Sequence, residues 1–155
     1  MTILGLASLN KKLKALPKAA EVAISAAMAK GADEMVALMK SLVPVDSGEL
    51  RDSIAWTWGN APKGALAIGT VTSTDGKLTI TIYAGDSEAF YARWVEFGTK
   101  AHIAGGKFAG AQIPAIPAHP FFFVSFRALR KRTKSRITRA INKSAKQVAN
   151  GGSGP

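Results

Sequence analysis

At 155 residues, 47% apolar and 20% charged, the chain is sized for one folded domain with an ordinary core, which excludes wholesale disorder. It has no cysteine and two histidines, which excludes a disulfide framework, thiolate metal sites, cysteine nucleophiles and a histidine-only zinc site. The net charge is +11, and residues 1–96 carry ten cations and ten anions, whereas residues 97–155 carry eleven cations and no anion. Such an asymmetry points to an anionic partner: nucleic acid, an acidic protein face or a membrane surface.

In chain order, Leu6, Leu9, Leu13 and Leu16 step by three and four, as on one face of a short helix. Pro17 suits the first position of a second helix. There Ile24, Met28, Ala32, Met35, Met39 and Leu42 form a stripe widened by Val22, Ala26 and Val36, which predicts a helix over about 17–41. Gly31 either weakens that helix or lets another segment approach closely. Pro44 ends it by disfavouring helical geometry at Val43. Asp46-Ser-Gly-Glu49 then has the form of a capping box opening a short turn of helix.

Three runs alternate with period two: 54–58, 66–71 and 78–83. Their β-branched and aromatic content predicts an antiparallel meander with Asp75-Gly76 as a hairpin turn. Residues 87–97 read as a short helix, with Phe90, Trp94 and Phe97 recurring at four and three, ended by Gly98. The stretch 99–119 is rich in Gly, Ala and Pro and reads as a mobile loop, of a length that often marks function. Pro120 opens a last helix with Phe122, Phe126, Leu129, Thr133, Ile137, Ile141, Ala145 and Val148 on one face. Arg127, Arg130, Lys131, Lys134, Arg136, Arg139, Lys143 and Lys146 lie on the others and are the candidate contacts to nucleic acid or an acidic partner. Residues 150–155 read as a flexible tail. The expected architecture is α+β: a meander of three to four strands packed against a long N-terminal helix and a long basic C-terminal one, one domain over 1–149.

Little points to catalysis. Asp46, Glu49 and Asp52 fall at helical spacing, but capping accounts for the first two and Arg51 offers a partner to Asp52. No phosphate-binding loop and no nucleophile elbow appears. His102 and His119 have no carboxylate nearby in sequence. No enzyme activity, cofactor or metal is expected. No apolar run approaches the length of a membrane span, and the N-terminus lacks the basic segment of a secretory signal.

Three segments in order, VPVDSGELRDSI (43–54), YARWVEFGT (91–99) and AHPFFFVSFRAL (118–129), resemble the neck or tail-completion proteins of long-tailed bacteriophages, also called minor tail proteins. Ser47 stands where threonine is common in that family, and 123–125 lacks its second proline. The resemblance implies a structural virion protein, made in the host cytoplasm, that forms a ring at the head–tail junction. A hexamer is favoured, with a dodecamer as the alternative. It implies as partners the other neck proteins, such as the head-completion (stopper) protein and the tail terminator, with double-stranded DNA in the channel as a further candidate, and no membrane. It marks Pro44, Asp46, Gly48, Leu50, Arg51, Tyr91, Glu96, Phe97, Gly98, Pro120 and Phe121 as structural motif positions, with Tyr91, Trp94 and Phe97 packed against the sheet and Glu96 as an ion-pair partner of Arg51 or Arg93 or else an exposed glutamate. Within the 99–119 loop, His102, Lys107, Phe108 and Ile113 are the candidate contacts between subunits. A free basic nucleic-acid-binding protein without sequence readout is the competing expectation.

Overall fold

A computed structural model describes residues 18–67, 78–87 and 89–149. The Leu6–Leu16 stripe, Pro17, the Asp75-Gly76 turn and the 150–155 tail lie outside the described residues. Helix α1 spans Lys18–Leu42 and α2 spans Glu49–Ser53. Strands β1 (Ala55–Trp58), β2 (Leu66–Ala67) and β3 (Ile80–Ala84) follow, then α3 (Ala92–Phe97), a small ribbon of β4 (His102–Ile103) and β5 (Gln112–Ile113), and α4 (Phe122–Ala149).

The architecture is α+β: an antiparallel three-stranded sheet with a long N-terminal and a long C-terminal helix. The strand order, β1-β3-β2, is not that of a sequential meander. The last strand takes the centre, pairing Trp56 with Ile82 on one side and Ala67 with Tyr83 on the other. As the central strand it is covered well enough that Thr79 and Thr81 are buried, and the Thr81 hydroxyl donates to the Gly59 carbonyl (2.6 Å).

The stripe on α1 enters the core at Ile24, Met28, Ala32, Met35 and Met39. Val43 rather than Leu42 completes it; Leu42, the last residue of the helix, is exposed, as is Val22, which the 3.6-residue period carries off the buried side. Helices α1 and α4 pack along each other, and at Gly31 they approach closely. A Cβ there would overlap the Thr133 methyl and lie 3.1 Å from its hydroxyl. Two groups of buried side chains result. One joins Met35, Met39, Leu50, Ile54, Phe121 and Phe122, and the other joins Ile24, Met28 and Ile141 under Leu78 and Ile80. On α4, Ser125 and Ser144 are buried and Ala145 is exposed, so small polar residues fill the close contacts that the apolar pattern assigned elsewhere.

The capping box does not form. Gly48 is the N-cap of α2, with φ 92°, and no side chain caps it; the Ser47 hydroxyl lies 3.5 Å from the Glu49 amide. Asp46 is exposed. The left-handed backbone at Gly48 turns the chain too sharply for the extended geometry a side-chain N-cap needs. Leu50 and Ile54 are buried as expected.

Candidate functional site

Three surfaces converge on the segment from α3 to the start of α4. The first is the outer face of α3. This helix has six residues, so one face must be chosen for burial. Ala92, Val95 and Glu96 face inward, and Phe90, Trp94 and Phe97 are 54%, 47% and 56% exposed. Tyr91 packs against the core, but Trp94 and Phe97 do not lie on the sheet. The small Ala92 faces inward because the backbone approaches tightly there: a Cβ at Gly85 would sit 3.1 Å from that of Ala92. The aromatics left outside touch one another. Phe90 stacks edge-on with Trp94 at 5.4 Å, and Phe97 meets Phe123 at 5.8 Å.

Glu96 is the buried exception on that helix, 3% exposed. Neither Arg51 nor Arg93 reaches it; Arg51 lies 3.5 Å from Asp52. Instead its Oε2 accepts the backbone N–H groups of Phe121 and Phe122, both at 2.8 Å, and its Oε1 accepts that of Phe123 at 3.1 Å. A helix opens with N–H groups that have no partner within it and with a partial positive charge. Pro120-Phe121 supplies no capping side chain, so a carboxylate from α3 takes that role. A glutamate among the apolar residues of 90–97, together with an apolar helix start at 120–123 that lacks a capping side chain, is the sequence signal that could have found it.

The second surface is the ribbon. Residues 99–119 form a hairpin rather than a structureless loop, with His102 opposite Ile113 and Ile103 opposite Gln112. A bridge between Thr99 and Ile116 closes its base, and a 3-10 turn at Gly106–Phe108 forms its tip. Gly98 makes the approach to this base. Its φ is 70°, and a Cβ would lie 2.7 Å from the Ile116 carbonyl oxygen. Ile103 and Phe108 are 70% and 72% exposed. His102 and Lys107 are also exposed, Ile113 is half-buried, and an open concavity is lined by Ala101, His102, Ile103, Gln112, Ile113 and Pro114. His102 Nδ1 is 3.0 Å from the Lys100 carbonyl, and the His119 amide donates to the Val95 carbonyl at 2.8 Å.

The third surface is α4. Its cations do not form one set. Arg136 is only 18% exposed and donates to Glu34 Oε1 on α1 at 2.6 Å, with Arg132 3.4 Å from the other oxygen. Arg136 therefore serves the helix packing and is not available to an outside partner. Its hydrogen bond lowers the Glu34 pKa; partial burial opposes the shift, and the charges of Arg132, Arg136 and Lys30 reinforce it. Arg127, Arg130, Lys131, Lys134, Arg139, Lys143 and Lys146 are exposed. No described helix is long and apolar enough to cross a membrane.

The family described as "Bacteriophage HK97-gp10, putative tail-component" matches residues 7–98, more than half of the chain. That region holds α1, the described strands of the sheet and α3, and hence the first quoted segment and the second up to Gly98; the ribbon and α4 lie beyond it. No curated protein and no solved structure matches the chain. With a matched region that runs from the first long helix through the Tyr91–Gly98 turn, the chain belongs to the HK97-gp10-like family of bacteriophage tail components.

Proposed function

We propose that this chain is a non-enzymatic subunit of the virion at the head–tail junction, assembled as a ring and helping to join the capsid to the tail. Six copies match the sixfold symmetry of a tail tube, and twelve is the alternative. The observation that carries this reading is the presence of two separate exposed apolar surfaces on one chain: the Phe90–Trp94–Phe97 face and the ribbon bearing Ile103 and Phe108. A ring requires each subunit to present two different, mutually complementary patches, and exposed aromatics are the usual anchors of such contacts. Head-completion and terminator proteins are the proposed neighbours above and below the ring.

The test is complementation of an infection that lacks this protein, with native mass of the purified full chain measured in parallel. Wild type restores joined particles. Trp94→Gln, and a deletion of 104–110 at the ribbon tip, each lower particle yield and shift the mass from a closed oligomer toward the monomer while the far-UV spectrum is retained. Joined particles at wild-type yield without the protein would refute the role. Joined particles at wild-type yield with both variants would refute these two surfaces as the contacts.

A further inference from the structure

We infer that the outward face of α4 is a seat for the phosphate backbone of duplex DNA, built from two cationic rows that follow one another along the helix and are offset around it. One row is Arg127, Arg130, Lys131 and Lys134, spaced i, i+3, i+4 and i+7. The other is Arg139, Lys143 and Lys146, spaced by four and three. At 100° per residue the two rows lie about 140° apart around the helix axis. Ser135, Thr138 and Asn142, all exposed and uncharged, lie between the two in angle where the first row gives way to the second.

Among the described residues none of these seven cations pairs with a carboxylate. Arg139 alone is tethered, through Nε to the Ser135 carbonyl of its own helix (3.3 Å). From Arg127 to Lys146 the face extends about 28 Å at 1.5 Å per residue, close to one duplex turn of about 34 Å. No acid occurs anywhere in 97–155 to repel phosphate.

The composition separates this face from a protein contact. Interface cores between proteins are depleted in charge and built on large apolar anchors. Among the described residues on the outward side of α4 the one exposed large apolar side chain is Val124, whereas the aromatics sit on α3 and the ribbon. Cations in two successive offset rows, with small neutral side chains where one gives way to the other, suit a surface that positions on phosphates without reading bases. The inference stands on this charge geometry and does not require the ring.

The experiment is titration of the full-length protein with a labelled 30-base-pair duplex at 50–200 mM salt. Binding that neutralises four to seven phosphates gives a log–log slope of about −4 to −6. Arg130→Gln with Lys131→Gln and Lys134→Gln should flatten that slope by up to about 2.7, as should Arg139→Gln with Lys143→Gln and Lys146→Gln. A matched triple elsewhere on the surface, Lys30→Gln with Lys63→Gln and Lys100→Gln, should change it by less than about 1, and an unrelated duplex sequence should bind alike. Equal losses in all three triples would overturn the seat in favour of diffuse net charge. Loss confined to one row would overturn the two-row arrangement. A wild-type slope shallower than about −2 would overturn DNA as the partner and leave the face to an acidic protein. None of these outcomes depends on particle joining, so this inference and the ring can fail separately.

Discussion

Replacing Glu96 with alanine should destabilise the fold by about 4 kcal/mol. The carboxylate accepts three backbone N–H groups, and two of the donors belong to Phe121 and Phe122, which are fully buried. An unsatisfied buried donor costs about 1–3 kcal/mol, so the two together give about 4 kcal/mol. Phe123 is only partly buried and can recover water. Glutamine tests the geometry. Its carbonyl oxygen can occupy the Oε2 position and keep both short bonds, but its amide nitrogen would then confront the Phe123 N–H and the charge is gone. One charge-assisted bond is worth about 2 kcal/mol, so Glu96→Gln should cost roughly half as much as Glu96→Ala. Urea unfolding reads both. With a slope near 2 kcal/mol/M, the alanine variant should lose about 2 M in midpoint and the glutamine variant about 1 M. An alanine variant within about 1 kcal/mol of wild type would show that solvent or another group caps α4 equally well. Equal losses in the two variants would show that charge alone matters and the three-bond geometry does not.

Two further outcomes are expected. Gly31→Ala gains helix propensity of about 1 kcal/mol but drives a methyl into Thr133, with overpacking of about 1–3 kcal/mol; it should be destabilising alone and neutral or stabilising together with Thr133→Ala, as a double-mutant cycle would measure. The Glu34 pKa is lowered in the folded state, chiefly by its bond from Arg136, so its contribution is fully present above the unfolded value of about 4.3 and is lost as pH falls through the lower folded one. Glu34→Gln should therefore be less stable than wild type at pH 7, and the gap should close only below about pH 4.3; a gap unchanged down to pH 2 would contradict the linkage.

The long helices and the strand segments were legible because each rests on a periodicity sustained over many residues, as in the Ile24–Met39 stripe. Gly31 and Gly98 were legible as constraints, since close approach and positive φ leave few alternatives to glycine. Strand order was not: alternation tells which face of β3 is apolar, but nothing in Ile80–Ala84 says that it lies between the other two. The face of α3 was misread because six residues are fewer than two full turns, and the larger side chains were assigned to the core. Close backbone packing put Ala92 inside instead and left Trp94 and Phe97 as candidate contacts. Arg136 was grouped with the free cations because its partner, Glu34, lies 102 positions away.

The closure at the base of the ribbon has a consequence for sequence change. The Thr99–Ile116 bridge, the His119–Val95 bond and the Glu96 bonds to α4 hold both strands of the hairpin where they leave the body. Whatever lies between these clamps is decoupled from the core. Doubling the length of a flexible loop costs only about 0.6 kcal/mol, and a Cβ at Gly105 would meet nothing within 4 Å. The ribbon tip is thus a natural graft point, where a peptide tag or an added recognition segment could be spliced in while the helices and the sheet keep their packing.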